Sequence, residues 1–341
     1  ADHLDPHSFP TRRSSDLLIP VFVADPRFWG IDSWAFLPEY AAFGMFAFGS
    51  LLLVPGIQAK IAAQWQKSAK VLTKVPVFIW IVLLGALFFL LGQKTFFLGD
   101  GYLRIRNLEQ GLFLSPAEPL DTLVRYWLYA LLKPALNAGP AESYGVISIL
   151  GGMGLFTGLA YYLRRLFSGL EGAAALFAGA ILSAGFIQLF FAYVESYSLV
   201  AAFVILFFVS SLAMAKESIY KFMPSVFFSL AVCFHPMALI FLPSYIYIHI
   251  KVISKSENRI LKSLLTALLP LSLFMIVLLI FAINGVSPRD FIKLLASGER
   301  FLPLTNASGS YGLFSVNHLI DFINEILLTT QIGRASCRER V

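Results

Sequence analysis

Charged side chains are scarce in this chain, since Asp, Glu, Lys and Arg make up only 13% of its 341 residues. Soluble domains contain about 25% of these residues and about 45–50% apolar ones. Hydrophobic residues here reach 58%, including 33 phenylalanines. Apolar runs that approach the twenty or so residues needed to cross a bilayer recur along the sequence. These features exclude an ordinary soluble domain and predict an all-α, multipass transmembrane helical bundle.

Cysteine and the common cofactor motifs are also rare or missing. Of the two cysteines, Cys233 lies in an apolar run and Cys337 near the end of the chain, so neither a disulfide nor a thiolate metal site is expected. The sequence has no GxGxxG fingerprint, P-loop, paired-histidine metal motif or nucleophile elbow. Its basic residues follow the apolar runs instead of forming one patch, which argues against nucleic-acid binding. No cofactor or metal site is therefore assigned from motifs.

The two ends of the chain do not read as native protein. Residues 7–17, HSFPTRRSSDL, and 332–341, IGRASCRERV, are translations of opposite strands of a common short-read sequencing adapter. Such scars are excluded from fold reasoning. We therefore expect 1–17 and 332–341 to be non-native and 18–331 to be one membrane domain, cut at both ends. The adapter segments carry five arginines and two acids, so the formal net charge falls from +6 to +3 without them.

About eight membrane passes are predicted from the apolar runs. They span 34–56, 76–93, 143–163, 172–193, 197–214, 223–235, 237–250 and 263–284. His235-Pro236 divides one long run into a hairpin of two short passes, because proline breaks a helix. Lysine and arginine clusters follow the first, third, fifth and seventh passes, and the hairpin puts all four clusters on one side. The positive-inside rule makes that side cytoplasmic.

The loop between the second and third passes, 94–142, concentrates acids, arginines, glycines and aromatics. Asp100 lies in it between two glycines, directly after a pass. Residues 119–132 carry apolar side chains at helical spacing, which predicts a helix lying on the membrane interface. The predicted topology puts this helical loop on the outer face, together with the turn at Glu195 and the hairpin tip at His235.

Asp100 and Glu195 are the candidate catalytic residues. A carboxylate at a membrane surface can accept a proton from an attacking hydroxyl, although Asp100 is equally placed to cap a helix that begins near Tyr102. Glu195 lies in AYVESY, and a charge beside a bilayer is costly and often functional. The tyrosines flanking Glu195 also fit an ordinary interfacial belt.

Several residues near these acids are candidates for substrate binding. Guanidinium groups bind phosphate well, and a lipid-linked phosphate would lie at this depth. The alternative is that the arginines meet lipid headgroups or pair with Glu109, Glu118 and Asp121. A lone histidine in an apolar run is more often hydrogen-bonded structure than a ligand. The candidates are Arg104, Arg106, Glu109, Arg125, Tyr197 and His235.

The order of these segments resembles the GT-C membrane glycosyltransferases, which include protein mannosyltransferases and aminoarabinose transferases. LGDGYLRIRNLEQG, PLDTLVRYWLYALL and GVISILGGMGLFTGLAYYLRRL are similar to the opening of their membrane module. AYVESYSL and FHPMALIFLP resemble later patches of a bacterial branch. The resemblance covers 76–284 and rests on short motifs and their spacing. One further pass, 34–56, precedes the helix that normally opens the module.

The resemblance implies a transferase of the bacterial inner membrane that moves a sugar from a polyprenyl-phosphate donor to an acceptor hydroxyl on the outer face. Asp100 would activate the acceptor, and Glu195 and His235 would line the same outward cavity. Gly101 stands where many relatives carry a second acid, which leaves open whether a divalent metal takes part. Two alternatives remain, a multipass transporter or lipid flippase and a non-catalytic assembly protein. A transporter would carry its polar residues at mid-membrane in broken helices.

Overall fold

The computed structural model describes residues 39–51, 54–72, 74–96 and 100–297, with four isolated positions between 316 and 323. The ends predicted to be non-native, 1–17 and 332–341, lie outside the described residues, as do Gly99 and the first five residues of the first predicted pass. The chain divides into two compact units, one of 64–301 and one of 1–63 with 302–341. Everything below on packing and on the site concerns the unit 64–301.

The described residues are helical and contain no strand, as expected for an all-α protein. Two short 3₁₀ helices, Gly185–Phe190 and Pro236–Phe241, interrupt the series of α-helices. The α-helices are α1 Glu39–Leu51, α2 Pro55–Leu72, α3 Val77–Leu90, α4 Gly101–Glu109, α5 Pro119–Leu136, α6 Pro140–Leu166, α7 Glu171–Leu182, α8 Tyr197–Glu217, α9 Met223–Phe234, α10 Leu242–Ile253, α11 Arg259–Ile283 and α12 Pro288–Ser297.

Four helices in the described part are long and apolar enough to cross a membrane: α6, α8, the continuous helix Pro236–Ile253, and α11. The helices α3, α9 and most of α7 are apolar but shorter. Large apolar side chains on these helices remain exposed in the isolated chain, among them Leu150, Leu212 and Leu279. Exposed apolar surface on long apolar helices is the surface that lipid covers. The chain is therefore a helical integral membrane protein.

The predicted break at His235-Pro236 is confirmed. Helix α9 ends at Phe234, His235 is extended, and Pro236 opens the 3₁₀ turn that leads into α10. The imidazole Nδ1 of His235 accepts a hydrogen bond from the backbone N–H of Met237, 3.2 Å away. On the two sides of the break, Ser225 Oγ and His249 Nε2 meet at 3.0 Å. Helices α9 and α10 thus fold back on each other as a hairpin.

The predicted pass at 172–193 is wrong as a continuous helix. Helix α7 ends at Leu182, a 3₁₀ helix follows, and 191–196 is non-helical, with Ala192 at a left-handed φ of 52°. Neighbouring elements donate hydrogen bonds to backbone carbonyl groups of this non-helical segment. Gln93 N–H donates to Phe191 O at 2.9 Å, and Ser148 Oγ donates to Tyr193 O at 2.9 Å. Irregular backbone beside apolar helices is tolerated where protein groups pair with it in this way.

Helix α6 is the centre of this unit, because its glycines let α3 and α8 approach it closely. A Cβ on Gly158 would overlap Leu206 Cδ2 of α8, and one on Gly152 would lie 2.5 Å from Phe88 Cε2 of α3. The main hydrophobic core forms around these contacts and includes Leu155. Helices α6 and α8 consequently run side by side and present their first turns together. The polar cluster described next lies at that end.

Candidate functional site

Helices α4 and α5 form the helical loop predicted between the second and third passes. Helix α4 is short and follows Asp100 directly. Helix α5 begins at Pro119, which suits a first helical turn because proline lacks the N–H that would be unpaired there. Its first turns direct polar side chains inward, where Asp121, Thr122 and Arg125 are all buried. This buried polar face lies against the first turns of α6 and α8.

The two predicted catalytic acids, 95 residues apart in sequence, lie together. The backbone N–H of Asp100 donates to Glu195 Oε2 at 3.2 Å. The Asp100 side chain is 49% exposed and its carboxylate lies 3.7 Å from Arg104 Nη2. Asp100 occupies the N-cap position of α4, yet its side chain makes no capping hydrogen bond. The capping interpretation of this carboxylate therefore has no hydrogen bond to support it.

Gly101 is what allows this approach. A Cβ built on it would lie 2.6 Å from Phe96 Cβ and 2.9 Å from the carbonyl oxygen of Val194. Real Cβ atoms do not come so close to a backbone oxygen, so any larger residue would push α4 away from 191–196. A residue with a side chain, such as a second acid, therefore does not fit at position 101 on this backbone.

Glu195 is almost fully buried, at 5% exposure. Its Oε1 accepts a hydrogen bond from the backbone N–H of Ser196 at 3.0 Å and lies 3.3 Å from the Ser196 hydroxyl. Its other oxygen accepts from Asp100 N–H. Both carboxylate oxygens of Glu195 are therefore held by backbone N–H groups.

Arg104 and Glu118 form a buried, two-point ion pair directly beside these acids. Arg104 Nη1 and Nη2 each donate to a different carboxylate oxygen of Glu118. The Ser196 hydroxyl donates to the same carboxylate at 2.9 Å. Glu118 thereby links Arg104 of α4 to Ser196, the residue directly before α8. The Nε of Arg104 is buried and has no hydrogen-bond partner among the described residues.

Arg125 and Asp121 form a second pair, and both side chains have zero exposure. Arg125 Nε donates to Asp121 Oδ2 at 2.7 Å. Arg125 Nη2 donates to Glu195 O at 3.0 Å and to Ser198 Oγ at 3.1 Å, and Nη1 donates to Tyr144 O at 3.2 Å. Burial raises the pKa of the Asp121 carboxyl above its ordinary value, and the neighbouring guanidinium opposes this shift.

The prediction that Arg125 binds substrate needs correction. Each of its three nitrogens is bonded to protein, and its Cζ lies 4.2 Å above the ring of Tyr144. A guanidinium with no exposed surface does not reach an open cavity. Arg125 instead fixes the carbonyl of Glu195, the residue whose side chain meets Asp100.

The other predicted binding residues are distributed around this cluster. Arg106 and Glu109 lie on exposed positions of α4, while Arg104 lies on its buried side. The rings of Tyr197 and His235 lie 5.3 Å apart, centroid to centroid. Tyr197 begins α8, two residues after Glu195, so the hairpin tip adjoins the site through this aromatic pair. Arg106 and Glu109 are not brought to the acids by any contact that the structure describes.

A cavity of about 280 Å³ adjoins the cluster. Its polar wall includes Arg104, Asn107, Ser115, Thr122 and Tyr144, and leucines of α4 and of the α4–α5 loop form the apolar part. Among the described residues, no group of three or more His, Cys, Asp or Glu is arranged to hold a metal ion.

The sequence names Glu118 only as a possible ion-pair partner of the arginines, which the structure confirms, and it does not indicate Ser196 or Ser198 as members of the site. For Glu118 the sequence does contain a usable signal, which is its spacing from other charged residues. Glu118, Asp121 and Arg125 recur at three- and four-residue spacing, so they share one face at the start of an otherwise apolar helix. Polar residues on a face that packs against membrane helices indicate a buried polar cluster. The serines gave no comparable signal.

Comparison of the chain with models of protein families, with curated proteins and with solved structures finds no match. The functional argument therefore rests on the geometry described above.

Proposed function

We propose that this chain is an eight-pass membrane glycosyltransferase, with a GT-C type of architecture, that moves a sugar from a polyprenyl-phosphate donor to an acceptor hydroxyl. The observation that carries the proposal is the contact between Asp100 and Glu195. It pairs a half-exposed carboxylate with a buried one, at helix ends, beside a polar cavity. The reaction takes place at the outer face of a bacterial inner membrane.

The residues at the two ends of α6 and α8 support placing the site on the outer face of the membrane. Helix α6 begins beside the cluster at Tyr144 and ends in Arg164 and Arg165. Helix α8 also begins at the cluster and carries Lys216 in its last turn. The 27 residues of α6 extend about 40 Å at 1.5 Å per residue, which matches a bilayer with its headgroups. Acids at one end and cations at the other agree with a cytoplasmic basic end.

The proposed chemistry is a single displacement. Asp100 accepts the proton of the acceptor hydroxyl while the acceptor oxygen forms a bond to the anomeric carbon. The bond between that carbon and the phosphate oxygen breaks, and the electron pair leaves with the phosphate. Asp100 suits the role of base because its carboxylate is half exposed and lies 3.7 Å from the Arg104 guanidinium. Glu195 holds the backbone of Asp100, and the exposed Arg106 is available to the phosphate.

The arrangement favours an enzyme over a transporter or flippase. In a transporter the polar groups line mid-membrane breaks between half-helices. Here the acids gather at the first turns of α4, α5 and α8, and two arginines engage them. At this end of the helices an acceptor reaches the site from water, and a lipid-linked donor reaches it from the bilayer.

Asp100→Asn tests the proposal, with Asp290→Asn on α12 as the matched control. The assay measures transfer of labelled sugar by the full chain in membranes, from polyprenyl-phosphate mannose, glucose and arabinose. Loss of a general base costs on the order of a hundred- to ten-thousand-fold in rate. The side chain of Asp100 makes no capping bond, so folded yield should be unchanged. Normal transfer by Asp100→Asn would refute Asp100 as the base, and no transfer by the parent from any donor would refute the sugar transferase.

A further inference from the structure

A second cavity, of about 310 Å³, lies at the basic end of α6 and α8. Tyr161 and Tyr162 of α6 form one wall, and residues 220–223, at the start of α9, form the other. Tyr161 is 50% exposed and Phe222 is 58% exposed, so the aromatic wall continues onto the outer surface of the bundle. The acid cluster lies at the other ends of α6 and α8, and the proposed transferase makes no use of this cavity.

Positive charge is in excess around this cavity. Lys221 lies in its wall, and the Arg165 guanidinium lies 4.4 Å above the ring of Tyr161. Glu217 forms an ion pair with Lys221, and its Oε1 lies 3.8 Å from Arg165 Nη1. One carboxylate between two cations leaves a net positive charge. Lys216, whose Nζ donates to Leu166 O at 2.6 Å, adds a further cation nearby.

Two more features prepare the cavity for an anion. Helix α9 begins here, and its N-cap residue Phe222 provides no side-chain acceptor for the first N–H groups. The amino end of a helix carries partial positive charge and attracts anions. The hydroxyl of Tyr220 lies 2.9 Å from Thr266 Oγ1 of α11, which fixes that wall before any ligand enters. The cavity is thus positive and held in place from two sides.

We propose that this cavity binds the phosphate headgroup of an anionic phospholipid. Basic pockets between helices at the cytoplasmic side of membrane proteins recognise such headgroups. The exposed rings of Tyr161 and Phe222, and Ile219 at 59% exposure, provide an apolar surface along which the acyl chains lie. A zwitterionic lipid carries its own ammonium group and gains less from the excess of cations. The proposal does not depend on the transferase function.

Native mass spectrometry of the full chain in a neutral detergent tests the proposal, with phosphatidylglycerol and phosphatidylcholine as probes. The test variant is Arg165→Gln with Lys221→Gln. The control is Lys255→Gln with Arg259→Gln, which removes the same charge from exposed positions of the α10–α11 loop at the same end. Each cation near an anionic lipid contributes about fivefold in binding. We expect the test variant to bind phosphatidylglycerol about tenfold or more weakly, and the control to bind it as the parent does.

Met223→Trp is a second, independent test, because the larger side chain fills the cavity without changing its charge. It should also lower retention of phosphatidylglycerol, with unchanged elution on size exclusion. Unchanged binding in both the charge variant and Met223→Trp would overturn the proposal. Equal loss in the control variant would assign the binding to general surface charge and would overturn it as well. Displacement of the lipid by millimolar inorganic phosphate would show a simple anion site and would overturn the lipid assignment.

Discussion

Replacing Arg125 is the most direct test of how the cluster is built. Arg125→Met keeps an unbranched side chain and removes its guanidinium group and charge. It leaves Asp121 fully buried without its partner, and it leaves the carbonyl oxygens of Tyr144 and Glu195 without their donor. Removing one member of a buried ion pair costs about 3–5 kcal/mol. The Glu195 carbonyl lies outside the helices, and leaving it without this donor adds about 1–3 kcal/mol.

Because the Asp121–Arg125 pair is buried, the cost expected for a buried ion pair applies, and not the smaller cost of a surface pair. Both side chains have zero exposure, so solvent screening does not reduce the interaction, as it does for surface pairs worth about 0–1 kcal/mol. Part of the cost is recovered if Asp121 takes up a proton, which its burial already favours. A loss of about 3 kcal/mol is therefore the lower end of the expected range. Such a loss is a large fraction of the stability of an ordinary domain.

The assay is the free energy of unfolding of the full chain in mixed micelles with increasing SDS, followed by circular dichroism. The comparison is a double-mutant cycle of Arg125→Met, Asp121→Leu and the two together. The double variant removes both charges, so it should be less destabilised than Arg125→Met alone. The reasoning is refuted if Arg125→Met costs less than about 1 kcal/mol, or if the two single costs simply add in the double variant.

Three further predictions concern the site and the topology. Gly101→Ala should lower stability by about 1–3 kcal/mol and reduce transfer, since its Cβ would meet Phe96 and the Val194 carbonyl. Gly154→Ala, where nothing lies within 4 Å, is the matched control in the same unfolding assay, and equal effects would contradict the steric argument. Glu118→Gln should abolish transfer and lower folded yield because it leaves Arg104 buried with a neutral partner, and normal transfer would remove this pair from the site. In whole cells, after Cys233 and Cys337 are replaced, an impermeant thiol reagent should label Gln110→Cys and spare Ser254→Cys, and the reverse pattern would invert the proposed topology.

The sequence was sufficient to predict most of the helices and one of their breaks. Apolar runs of bilayer length marked α6, α8 and α11, because the bilayer imposes its thickness on the chain. Proline marked the break at 235–236, since it removes an N–H donor and clashes with the preceding turn. No proline in the sequence indicates the break in the helix at 183–196. That stretch is apolar and free of proline, and its conformation depends on donors from Gln93, Ser148 and Arg125, which are distant in sequence.

The site was predictable to the same extent and for the same reason. Asp100 and Glu195 were identified because a charge next to an apolar run is costly and therefore conspicuous. Their contact was not predictable, because it needs the turn that brings 191–196 onto the start of α4. Arg125 was assigned to substrate because a guanidinium suits phosphate. Its true environment depends on burial against Tyr144 and Ser198, and spacing within one helix does not report that burial.

The energetics of the buried pairs bear on why the chain retains them. Desolvating two ions costs several kcal/mol each, and well-packed apolar residues often replace such a pair without loss of stability. Stability alone therefore gives little reason to keep Asp121 and Arg125 at zero exposure. What an apolar pair cannot supply is a donor to the Glu195 carbonyl, and that carbonyl fixes the residue whose carboxylate holds Asp100. The double variant Asp121→Leu with Arg125→Met should accordingly keep much of its folded yield and lose transfer. That separation of stability from activity is the behaviour of a positioning pair, whereas parallel loss of both would assign the pair to the core alone.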